Sequence, residues 1–204
     1  MEKIDYKKKE KQFYLPKRTP EIIEIPKMKF LMVDGQGDPN RSESYQEAIQ
    51  LLYSLSYTLK FYIKNNRLGP DYTVLPLEGL WWVDNMEDFK TSSKDEWIWT
   101  AMIRQPDFML NDHLSVALEL ASKKNDHLNF NRIRLEEYIE GLSVQVLYYG
   151  PYADEGPTIE KIHNFAFDQG YQLHGKHHEI YLSDPRRTAP EKLKTVIRQP
   201  IKSA

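Results

Sequence analysis

The first half of the chain alternates between extended and helical hydrophobic patterns. Apolar residues dominate 22–33, and the glycines and proline of 35–39 end that extended segment. Behind the capping sequence SYQE at 44–47, apolar positions recur every three or four residues as far as Tyr62, which predicts a helix of about five turns. Two strand-like segments follow, at 72–83 and 96–104. The predicted order of elements is therefore β-α-β-β.

The second half repeats this order. The patterns predict a strand at 141–150, a short helix at 158–166, and strands within 171–184 and 192–198. Each half also contains the tetrapeptide IRQP, at 103–106 and at 197–200, where its last predicted strand ends. Because the same order of elements precedes both copies, the sequence predicts a duplicated β-α-β-β unit.

The segment between the two units has a helical pattern. Its apolar positions form two stripes, Leu114, Ala117, Leu118 and Ala121, and then Ile133, Leu135, Tyr138 and Ile139. We therefore predict an α+β fold with a charged N-terminal leader at 1–20, repeat one at 21–106, a helical connector at 107–140 and repeat two at 141–204. Two such units can join their sheets about a pseudo-twofold axis and leave a cleft between them. Ligand binding is expected in that cleft.

Composition narrows the classes of function. The 204 residues carry 28 basic and 30 acidic side chains and a net charge of −2, which gives no global field for nucleic acid or an anionic membrane. The absence of cysteine excludes disulfides and thiolate chemistry. No apolar run approaches the ~20 residues that span a bilayer, and the charged start has the pattern of a solvated leader, not of a secretory signal. We expect a cytoplasmic protein without nucleic-acid or membrane partners, and its oligomeric state stays open.

Several motifs resemble those of one family. The sequences GPY at 150–152 and GY at 170–171, and above all HHEIYLSDPRRTAPEKLKTVIRQP at 177–200, are similar to the GyrI-like small-molecule-binding family. PLEGLWW at 76–82 resembles a free-standing branch of that family. The resemblance covers nearly everything after residue 20. It implies a tandem α+β fold with a ligand cleft between the repeats, and no cofactor is expected.

The resemblance also gives Glu179 a role. Strand alternation puts His177, Glu179 and Tyr181 on one face, where an exposed glutamate is the simplest interpretation. In drug-sensing relatives, however, a glutamate at this place in the EIY motif is the carboxylate that reaches the cationic ligand. We therefore expect Glu179 to face the cleft, partly buried, with Tyr181 and His177 on the same wall.

Aromatic residues supply the other expected walls. Aligning WWV with IYL of the second repeat makes Trp82 the counterpart of Tyr181 and Glu78 the counterpart of His177, so both are expected in the cleft. Core packing is the open alternative for Trp82. The remaining candidates are Tyr148 and the pair Trp97 and Trp99, which share a strand face and would form either a second wall or core.

No metal site is expected. His174, His177 and His178 are close in sequence, but the chain has no HExxH motif and no companion cluster of carboxylates at ligand spacing. His177 and His178 must also point to opposite faces of a strand, so they could not share an ion without a bulge.

Two classes of function remain. An aromatic cleft with one carboxylate can capture amphipathic or cationic molecules by apolar burial, cation–π attraction and one charge contact. Some free-standing members of the family hydrolyse the strained cyclopropane of DNA-alkylating natural products, so the resemblance implies a detoxifying hydrolase as the second class. In that case Glu179 would activate water, Tyr181 and Trp82 would hold the substrate, and Glu78 would assist proton transfer.

Overall fold

The computed structural model describes residues 3–86, 89 and 91–204, which fold around a large antiparallel sheet. Its strands are β1 (Glu21–Ile25), β2 (Met28–Gln36), β3 (Leu77–Trp82), β4 (Ile98–Gln105), β5 (Arg134–Tyr138), β6 (Gly141–Tyr149), β7 (Tyr171–Leu173), β8 (His177–Tyr181) and β9 (Lys194–Ser203). The helices are α1 (Tyr6–Lys9), α2 (Lys11–Tyr14), α3 (Glu43–Asn65), α4 (Asn111–Lys124) and α5 (Gly156–Asp168). The strand order is β1-β6-β9-β8-β3-β4-β2-β5, and β7 pairs with the end of β9.

The long helix α3 forms because its sequence is amphipathic and capped. The hydroxyl oxygen of Ser42 accepts the backbone N–H of Tyr45 at 3.2 Å, which satisfies one free donor of the first turn. Leu52, Leu55 and Leu59 recur at three and four residues and are fully buried. They fix α3 against β2 and β4. Among the helices that the structure describes, none is long and apolar enough to cross a membrane.

The two faces of the sheet carry different partners. We call the face covered by helices the helical face: α3 packs there on β2 and β4, and α5 packs on β6 and β9. The opposite face carries a separate apolar cluster that includes Phe30, Met32, Leu80 and Met102. The central pair of strands, β3 and β8, lies between the strands that the two helices cover. This central pair positions the site described below.

The charge of the segment before β1 suggested a solvated leader, but this segment packs against the sheet. Tyr6 and Tyr14 are 6% and 2% exposed, and the carboxylate of Glu10 pairs with the buried Arg104 of β4. The backbone carbonyl of Phe13 accepts a hydrogen bond from Arg198 of β9. Aromatic burial and these polar contacts bind the segment to the sheet despite its many lysines.

The predicted helical connector is correct only in its first half. Helix α4 forms with Ala117 and Ala121 buried, but 134–138 form the strand β5. This strand pairs with β2, from Met28 opposite Tyr138 to Met32 opposite Arg134. The helical interpretation of this stripe was wrong because the edge of β2 supplies backbone hydrogen bonds that favour an extended chain over a short helix.

Other predicted strands differ in their bounds. The segment 22–33 divides at Pro26, which has no N–H for a sheet ladder, into β1 and β2, and 171–184 divides into β7 and β8. The first IRQP ends β4 at Gln105, whereas the second lies inside β9, which continues to Ser203. The two copies of IRQP are therefore not equivalent strand ends.

Candidate functional site

Glu179 occupies the middle of β8 on the helical face of the sheet. Its pairing partners are Ile197 on β9 and Gly79 on β3. A Cβ at Gly79 would lie 2.7 Å from Nε1 of Trp81 and 3.1 Å from the hydroxyl oxygen of Tyr181. Glycine at this position therefore lets the two aromatic side chains meet beside the carboxylate.

Neighbours on the same strand hold both oxygens of the Glu179 carboxylate. Nε2 of His177 lies 3.1 Å from Oε1, and the hydroxyl of Tyr181 donates to Oε2 at 2.8 Å. Nε1 of Trp81 donates in turn to the Tyr181 oxygen at 3.1 Å. These contacts fix the orientation of the carboxylate, and each of its oxygens keeps acceptor capacity for a further group.

Burial and hydrogen bonding have opposite effects on the pKa of the Glu179 carboxyl. Burial by itself raises the pKa of this carboxyl, but the hydrogen bond and charge of His177 and the hydroxyl of Tyr181 outweigh it, so the pKa of Glu179 is lowered. Burial and the neighbouring Glu179 raise the pKa of Tyr181 well above its ordinary value. At neutral pH the site therefore presents a carboxylate beside a neutral phenol.

A second carboxyl, that of Glu155, adjoins Glu179 from the start of α5. Glu155 is 3% exposed and immediately precedes the helix. Burial, followed by the charge of Glu179, raises the pKa of Glu155 to about 9. A protonated and an ionised carboxyl therefore lie side by side at neutral pH.

Aromatic rings surround the two carboxyls. We call the group formed by Tyr45, Trp81, Phe89, Trp97 and Tyr152 around Glu179 the aromatic pocket. Its ring centroids lie 5.5 Å apart for Tyr45 and Trp81, 5.8 Å for Trp81 and Trp97, 4.8 Å for Phe89 and Trp97, and 5.5 Å for Tyr152 and Tyr181. Tyr152 is 37% exposed and the Glu179 side chain 14% exposed, whereas Tyr45 and Trp81 are buried. Of these five rings, Tyr152 is the one exposed to solvent.

Trp82 does not reach this pocket, contrary to the alignment of WWV with IYL. In the pairing of β3 with β8, Trp81 lies opposite His177. Because successive residues of a strand point to opposite faces, Trp81 and its neighbour Trp82 cannot share a face. Trp81 therefore shares the face of Tyr181. Trp82 lies on the opposite face, where Nζ of Lys176 is 3.4 Å from its ring centroid in a cation–π contact.

Glu78 also lies on the opposite face, in a buried network of charged groups. Nε2 of His178 lies 3.0 Å from Glu78, and Nδ1 lies 2.9 Å from Glu140, which also pairs with Arg198 at 3.0 Å. Burial disfavours the charged imidazole, but Glu140 and Glu78 raise the pKa of His178 to about 9. Because the sheet separates Glu78 from Glu179, the expectation that Glu78 assists proton transfer at Glu179 does not fit this geometry.

The remaining sequence candidates occupy three different places. Trp97 stacks on Phe89 in the aromatic pocket, whereas Trp99 is fully buried against Tyr45, with ring centroids 4.9 Å apart, and is core. The hydroxyl of Tyr148 donates to the carbonyl of Pro151 at 3.1 Å. In the described part of the chain, no group of three or more His, Cys, Asp or Glu is arranged to hold a metal ion.

The sequence candidates did not include Tyr45, Trp81, Phe89, Tyr152 or Glu155. Trp81 would have followed from the correct strand register, with Gly79 opposite Glu179. The sequence did not indicate that Glu155 belongs to the site, because an acidic residue just before a helix is typical of an exposed cap. Only the three-dimensional fold shows that its side chain is buried beside another carboxyl.

The large antiparallel sheet and the helices that cover one of its faces define an α+β domain. The chain belongs to the GyrI-like family, since the GyrI-like small molecule binding domain matches residues 18–202. The chain also contains the aromatic cluster with a central carboxylate described above.

Solved structures agree with this assignment. The chain is 45% identical to an uncharacterized conserved protein from Listeria innocua, with a TM-score of 0.91 and coverage of 98% of this chain and 100% of that chain. It is 43% identical to a hydrolase from Listeria innocua, with a TM-score of 0.87 and the same coverage. The EcmrR C-terminal domain is 15% identical, with a TM-score of 0.59 over 91% of this chain and 98% of that chain, and is similar in fold alone. No curated protein matches the chain.

Proposed function

We propose that this protein binds flat electrophilic molecules in the aromatic pocket and hydrolyses strained rings, in particular the cyclopropane of DNA-alkylating compounds. The observation that carries the proposal is the Glu179 carboxylate, which is ionised, held by His177 and Tyr181, and partly accessible. Such a carboxylate can position a water molecule and take its proton. The 43%-identical hydrolase from Listeria innocua supports hydrolytic chemistry.

In the proposed reaction, Glu179 takes a proton from water while the water oxygen attacks a CH2 carbon of the cyclopropane. The strained carbon–carbon bond breaks, and its electron pair moves into the group conjugated with the ring. The hydrogen bonds from His177 and Tyr181 keep the carboxylate aligned with the water. The rings of the aromatic pocket hold the flat substrate so that attack and bond breaking lie in line.

Binding without turnover is the second candidate, and one observation favours it. The ionised Glu179 lies among the faces and edges of aromatic rings, which is also the arrangement that captures organic cations. In that case the protein would sequester cationic amphipathic compounds, and the carboxylate would contribute one charge contact.

The test measures hydrate formation from a cyclopropane-bearing alkylator and ligand affinity on the same variants. For a catalytic site, Glu179→Gln is expected to lower turnover by ~10²-fold or more while affinity for the neutral alkylator changes little. Glu24→Gln is the matched control, because Glu24 is an exposed strand glutamate on β1. Wild-type turnover equal to buffer, with Glu179→Gln weakening only cationic ligands, would favour sequestration and contradict catalysis.

We infer further that the two halves of the domain descend from one β-α-β-β unit. The inference is supported by the strand order, in which β2-β4-β3 of the first half and β6-β9-β8 of the second meet at the β3·β8 pair. Glu179 and Trp81 would then lie at the junction of the repeats. Superposition of 28–105 on 141–203 tests this idea, and equivalent strands that fail to align in order and direction would exclude it.

A further inference from the structure

A small cavity lies on the opposite face of the sheet, between the segment before β1 and the buried charges around His178. Phe13 and Tyr14 line this cavity from the segment before β1, and Glu78, Glu140 and His178 line it from the other side. Its volume of about 10 Å³ is close to the smallest that holds one water molecule. The cavity is therefore matched in size to a single small molecule.

One carboxylate oxygen at the cavity lacks a hydrogen-bond donor within the described part of the chain. Glu78 is 2% exposed, and its Oε2 lies 3.0 Å from Nε2 of His178. Its Oε1 is also buried, but no described residue donates to it. An acceptor that is buried without a donor costs the folded state free energy, and a charged acceptor costs more than a neutral one. A donor inside the cavity would remove this cost.

The hydroxyl of Tyr14 is a donor at the same cavity. Its oxygen accepts an N–H of Arg104 at 3.4 Å, and among the described residues none accepts the proton of this hydroxyl. Burial, followed by the charge of Glu78, raises the pKa of Tyr14 well above its ordinary value, so the hydroxyl keeps its proton. Tyr14 and Glu78 do not bond to each other directly, although both line the cavity. The cavity therefore has a donor and an acceptor on its walls.

We propose that the cavity binds one water molecule, which accepts a hydrogen bond from the Tyr14 hydroxyl and donates one to Oε1 of Glu78. Two polar partners are within the range that buried waters have in proteins. A bridging water of this kind replaces a direct hydrogen bond at little cost. It joins the segment before β1 to the central strand β3 and supplies the donor that Oε1 of Glu78 lacks.

The charges around the cavity favour water over a small cation. The acidic Glu78 and Glu140 are balanced by the basic His178 and Arg198. Burial disfavours the charged imidazole, but Glu140 and Glu78 raise the pKa of His178 to about 9, so it is charged at neutral pH. A bound cation would leave a buried charge without a partner, which is far more costly than burying a neutral water.

The most direct test is a crystal structure of the wild-type protein at a resolution that shows ordered water, together with a crystal soaked in a thallium(I) salt. We expect a density peak about 2.6–3.2 Å from Oε1 of Glu78 and from the hydroxyl oxygen of Tyr14, without anomalous scattering from thallium. A cavity without density, or one that concentrates thallium, would overturn the proposal.

Two conservative variants test the bridge itself. Tyr14→Phe removes the donor, and Tyr6→Phe is the matched control because Tyr6 is buried in the same segment but does not line the cavity. We expect the density peak to remain in Tyr6→Phe and to be lost in Tyr14→Phe. Amide hydrogen exchange within residues 6–14 is expected to be about fivefold faster in Tyr14→Phe than in Tyr6→Phe, since one net hydrogen bond is lost. A peak of full strength in Tyr14→Phe, or equal exchange in the two variants, would contradict the bridge.

Discussion

Two neighbouring residues of β8 belong to two very different clusters of buried charge. Glu179, on the helical face, adjoins a second carboxyl, and among the residues that the structure describes His177 is its one basic partner within hydrogen-bond distance. His178, on the opposite face, bridges two carboxylates, one of which also pairs with Arg198. The cluster around His178 balances basic and acidic groups and is closed, with side chains at most 3% exposed.

The two clusters are expected to contribute differently, one mainly to the stability of the fold and the other to ligand chemistry. Removing one member of a balanced buried network leaves an uncompensated charge, which costs the folded state several kcal/mol. The pocket around Glu179 is instead rich in carboxyls, lined with aromatic rings and partly accessible, which is where shifted pKa values serve function. We therefore expect substitutions on the opposite face to change stability and substitutions in the aromatic pocket to change ligand chemistry.

The largest expected effect is on the opposite face. Arg198→Met removes the cation that pairs with Glu140 and donates to Gln145, and we expect a loss of about 3–5 kcal/mol in the free energy of unfolding. Denaturant unfolding measures this loss, with Arg186→Met as the control because Arg186 is 86% exposed. A loss below about 1 kcal/mol in Arg198→Met would show that the network contributes little to stability.

A smaller effect is expected from pH. The pKa of His178 is raised from 6.5 to about 9, so its contribution to stability is complete below about pH 6.5 and is lost as pH rises through 9. The loss is on the order of 3 kcal/mol. Glu155 also destabilises the fold as pH rises, because its raised pKa favours the protonated form, so the measurement belongs in a Glu155→Gln background. Stability that stays constant between pH 6.5 and 9 in that background would contradict a charged His178.

The smallest effect distinguishes the two adjacent tryptophans. Trp81→Phe keeps an aromatic ring but removes the N–H that donates to Tyr181, and we expect ligand affinity to fall by about 0.5–1.5 kcal/mol. Trp82→Phe is the matched variant on the other face and should leave affinity unchanged. Calorimetric titration with one flat ligand measures the affinity of both variants. Equal losses of affinity would show that ligand binding does not depend on which face of the sheet the tryptophan occupies.

Local patterns were enough to predict much of the fold. The apolar period of α3, the strand-forming composition of β6 and the parity of Glu179 and Tyr181 within β8 are properties of short segments. The face of Trp81 and Trp82, by contrast, depends on how β3 pairs with β8, a register fixed by contacts far apart in sequence.

Contacts distant in sequence also explain the other differences. β5 is a strand because it pairs with the free edge of β2. The N-terminal segment packs against the sheet because the side chains of Tyr6 and Tyr14 are buried there. Glu155 comes beside Glu179 only when α5 packs on β6 and β9. No local pattern marks any of these three outcomes.

The most direct test of the account compares Glu179→Gln with Glu78→Gln, two isosteric changes on neighbouring strands and opposite faces of the sheet. The quantity to measure is kcat/KM for hydrolysis of a cyclopropane conjugated with a ketone, at a temperature where both variants are folded. We expect ~10²-fold lower kcat/KM for Glu179→Gln and a value within about threefold of the wild type for Glu78→Gln. Unchanged hydrolysis in Glu179→Gln, or a loss confined to Glu78→Gln, would contradict the placement of the reaction on the helical face.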